Sequence, residues 1–137
     1  NIEWSVKDGT KDDFSPADKI LIDVPCTGTG VIGRKPDIRW RRKPEDIKDM
    51  AKLQFQILNH VSQFLNPGGT LVYGTCSLEP EENWNVVEHF LKLKSGFQLV
   101  AGSSRLPNEW MNEQGCLQTL PHVHGVDGMF AAKLKRK

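Results

Sequence analysis

Apolar and polar positions alternate with two different periods along this chain, and the changes of period mark its elements. Ile2, Trp4 and Val6 alternate with polar neighbours, as in a strand. Asp8 to Ala17 is polar, with turn chemistry at Asp8-Gly9 and Ser15-Pro16, and reads as a loop. Lys19 to Val24 is a nearly continuous apolar run, the pattern of a strand buried on both faces of a parallel sheet. Pro25 to Pro44 is rich in Gly, Pro and Arg and reads as a long loop, a length that is rare in a compact domain unless it has a job. From Glu45 the spacing becomes helical: Ile47, Met50, Gln54, Ile57, Leu58, Val61 and Leu65 share a face. Pro44 suits the first turn and Asn66-Pro67-Gly68-Gly69 supplies the stop.

Thr70 to Gly74 predicts a second strand, ending at Thr75-Cys76-Ser77. Pro80, Glu81 and Glu82 then open a second helix, their carboxylates at the favourable end of its dipole. Val86, Val87, Phe90, Leu91 and Leu93 form its apolar face, and Gly96 ends it. Phe97 to Val100 is a short strand, Gly102 to Gly125 is irregular, and Gly128 to Leu134 is a last strand. Alternating strands and helices imply an open α/β sheet with helices on both faces. Ligands of such sheets sit beyond the carboxyl ends of the strands. Asp23, Pro25 and Cys26 follow one strand there and Thr75, Cys76 and Ser77 follow the next, so two cysteines are expected to face one crevice.

Composition narrows the class. The 137 residues suit one domain, and 38% hydrophobic with 26% charged residues is ordinary for a globular chain. No apolar stretch approaches the ~20 residues of a membrane helix. Net charge is +1, so bulk charge selects no partner. Three widely spaced cysteines argue against a disulfide framework and lead to the expectation of a reducing, cytoplasmic setting. The chain opens at Asn1, in what reads as the middle of a strand, and is expected to be a piece of a longer protein.

Gly28-Thr29-Gly30-Val31-Ile32-Gly33 matches the dinucleotide fingerprint on paper. That mechanism needs a helix to start at the loop, and Arg34-Lys35-Pro36 follows instead, so a nicotinamide or redox enzyme is disfavoured. A phosphate-binding P-loop fails too, since Arg34 and Lys35 stand where Lys and Ser or Thr are needed. A buried cysteine is usually a small hydrophobe. Cys26 and Cys76, however, fall at loop starts just past strand ends, where reactive groups are displayed. Cys116 has no such setting. His122 and His124 with the cysteines make no familiar zinc spacing, and no metal is expected. Arg34 to Lys43 is a basic run with Trp40 inside it: either a solvated face or a phosphate-contacting loop. Asp8 and Asp23 each end an expected strand, as turn formers or as acceptors for a nucleoside.

These residues carry a resemblance. Asp23-Val24-Pro25-Cys26-Thr27-Gly28-Thr29-Gly30 resembles the D-A-P-C-S-G-T-G motif of the Nop/Sun family of RNA cytosine-5 methyltransferases, and Thr75-Cys76-Ser77 resembles its T-C-S motif. Pro80-Glu81-Glu82-Asn83 and Asp127-Gly128-Met129-Phe130 are also typical of it. Arg34-Lys35-Pro36-Asp37-Ile38-Arg39-Trp40 is most similar to the bacterial branch that modifies small-subunit ribosomal RNA.

The resemblance implies a partial class I, Rossmann-like sheet dependent on S-adenosylmethionine. It implies that Cys76 adds to carbon 6 of cytosine, making carbon 5 nucleophilic towards the methyl donor, and that Cys26 helps release the product. Asp23 falls where the family contacts the methyl donor or the cytosine ring, and Asp8 where it keeps an acidic residue for the adenine side of the donor. RNA, approached through the Arg34–Lys43 loop, is the expected partner, and a non-catalytic RNA-binding module is the competing reading. The family's glycine-rich donor loop is expected before Asn1. Residues 1–137 are therefore expected to be the C-terminal part of a methyltransferase domain, inactive alone and prone to self-association through exposed edges.

Overall fold

A computed structural model describes residues 1–102 and 105–137. Strand β1 (Ala17–Asp23) leads through a short helix α1 (Ile38–Arg41) and a long helix α2 (Pro44–Val61) to β2 (Leu65–Thr75). Helix α3 (Trp84–Leu93), β3 (Phe97–Leu99), β4 (Leu117–Thr119), α4 (Pro121–His124) and β5 (Met129–Arg136) follow. The sheet order is β1-β2-β5-β3, with β4 pairing β5. β1 and β2 are parallel, as the intervening helix requires, and β5 runs antiparallel to both β2 and β3.

The helical stripe works as its spacing demands. Gln54, Leu58 and Val61 of α2 are buried, Pro44 occupies its first turn, and the Lys43 N–H donates to Asp46 Oδ2 at 3.0 Å. Val86, Val87 and Phe90 of α3 meet Leu58 of α2 and Leu71, Tyr73, Phe130, Ala132 and Leu134 of the sheet in one core. The two long helices thus share a face. On the opposite face Val100, Gly102, Leu106, Met111 and Leu117 line an apolar cavity of about 200 Å³ over Val72 and Ala131.

Several expectations are corrected. Asn1–Val6 forms no strand: it has no ladder partner among the described residues, and Ile2, Trp4 and Val6 lie exposed. Asp8 therefore ends no strand but sits in a turn. β1 is not buried on both faces; Ile20 and Ile22 pack on the core, whereas Leu21 is 74% exposed because nothing among the described residues covers that side. The loop after Pro25 contains a 3-10 turn at Thr29–Val31 as well as α1. α2 stops at Val61, before its expected stop signal, because residues 62–64 tighten into a 3-10 turn and Asn66-Pro67-Gly68-Gly69 belongs to β2. α3 begins at Trp84, so Glu81 and Glu82 do not serve its dipole. Within the stretch expected to be irregular, β4 and α4 are formed, while Ser103 and Ser104 lie outside the described residues.

Candidate active site

Two loops leave the carboxyl ends of neighbouring parallel strands, and each carries a cysteine. Asp23 ends β1 and Thr75 ends β2, and the pairing Asp23↔Gly74 sets the two exits side by side. The Cys26 and Cys76 sulfurs stand 3.1 Å apart, both thiols free and half-buried. Burial, then the Cys76 side chain beside it, pushes the Cys26 thiol up from its ordinary 9.0 to about 12. Cys26 thus holds its proton at neutral pH next to the Cys76 sulfur. Cys116 lies elsewhere, in the core, where burial raises it to about 11.

The loops are fastened from below. Glu82 is fully buried, and its carboxylate accepts hydrogen bonds from the Thr27 N–H (2.9 Å), the Thr27 hydroxyl, the Ser77 hydroxyl (2.8 Å) and the Gln54 amide (2.8 Å). Gln54 also donates to the Pro25 carbonyl at 2.9 Å. The Tyr73 hydroxyl donates to the Glu82 carbonyl at 2.6 Å, and burial followed by the charges of Glu82 and Cys26 raises Tyr73 far above the ordinary phenol range. Asn83 donates to the Ser77 carbonyl at 2.9 Å and accepts from the Thr75 hydroxyl.

A third segment closes the arrangement. The Gly30 N–H donates to the Cys76 carbonyl at 2.9 Å, and the Gly128 N–H donates to the Gly30 carbonyl at 2.8 Å. A Cβ on Gly30 would lie 2.8 Å from the Cys76 carbonyl oxygen and closer still to that of Gly128. The glycine here serves close contact between backbones rather than a phosphate cradle. Arg34 pairs with Asp127, tying the basic segment to the turn before β5.

The basic run divides by role. Arg42 faces inward: its Nε donates to the Thr27 carbonyl at 3.0 Å and its Nη2 lies 3.5 Å from the Cys26 carbonyl. Arg41 pairs with Asp37 along α1. Trp40 is 83% exposed between Arg39 and Arg41, and neither Lys35 nor Arg39 has a carboxylate within ion-pair distance among the described residues.

The two aspartates are less alike than their strand-end reading suggests. Asp23 is exposed at the carboxyl end of β1, beside a groove of about 500 Å³ along the open side of that strand. Asp8 is also exposed, but its Oδ1 accepts from the Thr10 hydroxyl (2.6 Å) and the Thr10 N–H (2.9 Å). Those bonds, with Lys11 nearby, hold its carboxyl below the usual range. Among the described residues no group of three or more His, Cys, Asp or Glu side chains is placed to hold a metal, and no helix is long and apolar enough to cross a membrane.

A parallel strand pair delivering two loops to one crevice, extended by antiparallel β5, is the Rossmann-like α/β arrangement of methyltransferases. The NSun6 protein of Pyrococcus horikoshii, solved with SFG, superposes with a TM-score of 0.80 at 34% identity, over 99% of this chain and 35% of that one. The model of the family described as 16S rRNA methyltransferase RsmB/F matches residues 2–135, and the chain belongs to that family. It is 47% identical over 118 residues to ribosomal RNA small subunit methyltransferase B of Enterobacter sp. (strain 638), covering 85% of this chain and 26% of the relative. To the probable methyltransferase B of Bacillus subtilis (strain 168) it is 39% identical over 123 residues, covering 88% of this chain and 28% of that protein. The chain thus spans about a quarter of the length of these curated relatives.

Of the residues singled out in the sequence, Cys26 and Cys76 are brought together, Asp23 lies exposed at the end of β1, Asp8 sits apart in its own turn, and the basic run touches the Cys26 loop through Arg42. Glu82, which the sequence presents only as a carboxylate near a helix start, proves to be buried and hydrogen-bonded to both cysteine loops. The inward role of Arg42 is likewise one that nothing in a run of basic residues distinguishes.

Proposed function

We propose that the protein containing this chain transfers a methyl group from S-adenosylmethionine to carbon 5 of a cytosine in small-subunit ribosomal RNA, through a covalent bond to Cys76. The observation that carries this reading is the pair of free sulfurs 3.1 Å apart on two strand-end loops. One sulfur can then attack while the other manages a proton. The Cys76 thiolate adds to carbon 6 of the ring and makes carbon 5 a nucleophile. S-Adenosylmethionine, when bound, supplies the electrophilic methyl group. Removal of the carbon 5 proton lets the carbon 6–sulfur bond break and frees Cys76. Cys26 takes that proton as a thiolate, its own thiol proton having first passed to solvent, and burial, which disfavours the charged form, makes that thiolate a strong base that then keeps the proton.

Asp23 fits the donor or the cytosine ring, since its carboxylate is exposed at the carboxyl end of β1. Asp8 is assigned the adenine side of the donor, through Oδ2, which otherwise pairs with Lys11 at 3.5 Å. The relation to NSun6, whose structure holds the S-adenosylmethionine analogue SFG, supports that choice of donor. RNA approaches over α1, where Trp40 offers a stacking face and Lys35 and Arg39 attract phosphate. Residues 1–137 form the C-terminal part of the catalytic domain in this reading, with the remaining donor contacts supplied by other parts of the protein.

The test is mechanism-based trapping of the full-length protein on RNA bearing 5-fluorocytosine, where fluorine blocks the release step. A stable protein–RNA band is expected, and the Cys76→Ala variant should give none. Binding without any trapped band would overturn the enzymatic reading in favour of an RNA-binding module.

A further inference from the structure

Glu82 stands at the convergence of both cysteine loops without touching either sulfur. Its burial is complete, and no Lys or Arg lies within ion-pair distance of it among the described residues. A buried carboxylate is expensive unless donors surround it, and four do. Their origin is the informative point. Thr27 follows Cys26 and Ser77 follows Cys76, and the hydroxyls of both donate to the same oxygen, Oε1. The other oxygen takes the Thr27 N–H and the Gln54 amide, and Gln54 in turn holds the Pro25 carbonyl on the far side of Cys26. One carboxylate therefore joins two loops fifty residues apart in sequence, each within one residue of its cysteine. Apolar side chains of similar volume would fill this space without the desolvation cost, so a carboxylate contributes placement that a stability-only core does not need.

Resting on the two-cysteine reading above, we propose that Glu82 is the positioning residue that sets the Cys26–Cys76 separation. Its carboxylate acts as a clamp through Thr27 and Ser77. It transfers no proton to either sulfur, because its donors occupy both oxygens. Gln can replace it in shape: the amide oxygen accepts from the Thr27 N–H and Gln54, and the amide nitrogen donates to the two hydroxyls, which can rotate to accept. Ala cannot.

The experiment bridges the two sulfurs with dibromobimane in the full-length protein and quantifies the Cys26–Cys76 linked peptide by mass spectrometry, well below the melting temperature. Glu82→Ala is expected to lower bridging at least fivefold, and Glu82→Gln to restore it to within twofold of wild type. Leu134→Ala, a core truncation remote from the loops, is the control for general loosening and should bridge like wild type. Should Glu82→Ala not melt cooperatively, the double variant Thr27→Val/Ser77→Ala, which keeps Glu82 but removes both hydroxyl donors, should show the same fall. Wild-type bridging in Glu82→Ala or in the double variant overturns the clamp, as does an equal loss in Leu134→Ala. Bridging reports only where the sulfurs stand, so it is independent of whether Cys76 attacks RNA.

Discussion

The Cys26 sulfur lies 3.1 Å from the Cys76 sulfur, and burial keeps the Cys26 proton in place to about pH 12. That shift has a consequence for stability. Between the ordinary thiol value of 9.0 and about 12 the folded chain holds a proton at Cys26 that the unfolded chain has lost. Cys116 acts in the same direction up to about 11. The folded state binds more protons in this window, so stability is full below pH 9 and falls as the pH rises through it. Denaturant unfolding at stepped alkaline pH measures this; Cys26→Ala/Cys116→Ala should lessen the slope and leave the part due to Tyr73, which burial raises from 10.0.

Gly30 and Gly33 of Gly28-Thr29-Gly30-Val31-Ile32-Gly33 should respond differently to alanine. At Gly30 the added methyl meets the backbone of Cys76 and Gly128, and overpacking of this kind costs about 1–3 kcal/mol. At Gly33 nothing lies within 4 Å and φ is not positive, so Gly33→Ala should be neutral or stabilise by about 0.4–1 kcal/mol. Melting temperatures of the two variants decide it. Equal effects would mean that the Gly30–Gly128 contact is not a constraint.

How far the sequence could be read follows from which interactions are local. The stripe of α2 and the apolar run of β2 are repeated along one element, so periodicity exposed them. Burial of β1 depends on what lies beside it in space, so Leu21 misled. The cysteines were legible because a loop start after a strand displays side chains whatever lies beneath. Glu82 was not legible as a site residue: its partners Thr27, Gln54 and Ser77 come from three separate segments, and no spacing links them.

Trp40 should contribute to RNA affinity through stacking rather than charge. Trp40→Ala is expected to weaken binding by about 1–3 kcal/mol, and Trp40→Phe to recover most of it. Arg39→Ala and Lys35→Ala should each reduce the salt dependence of binding by about one unit of slope. Filter binding across a salt series separates these effects. Unchanged affinity in Trp40→Ala would remove α1 from the RNA path.

The open side of β1 makes a prediction for residues 1–137 expressed alone. Among the described residues β1 pairs only with β2, and Leu21 is 74% exposed beside the unpaired edge. Such an edge templates pairing with a second chain, so light scattering should show association, and Leu21→Lys should reduce it. A monomer at high concentration would contradict this.

The proposed division of labour between the two sulfurs can be read from a denaturing gel of the full-length protein incubated with substrate RNA and S-adenosylmethionine. With Cys26→Ala, attack proceeds but release is blocked, so a covalent protein–RNA band should accumulate. With Cys76→Ala, or both cysteines replaced, no band should form and methylation should cease. A band that persists in Cys76→Ala, or methylation that continues in it, would contradict the account.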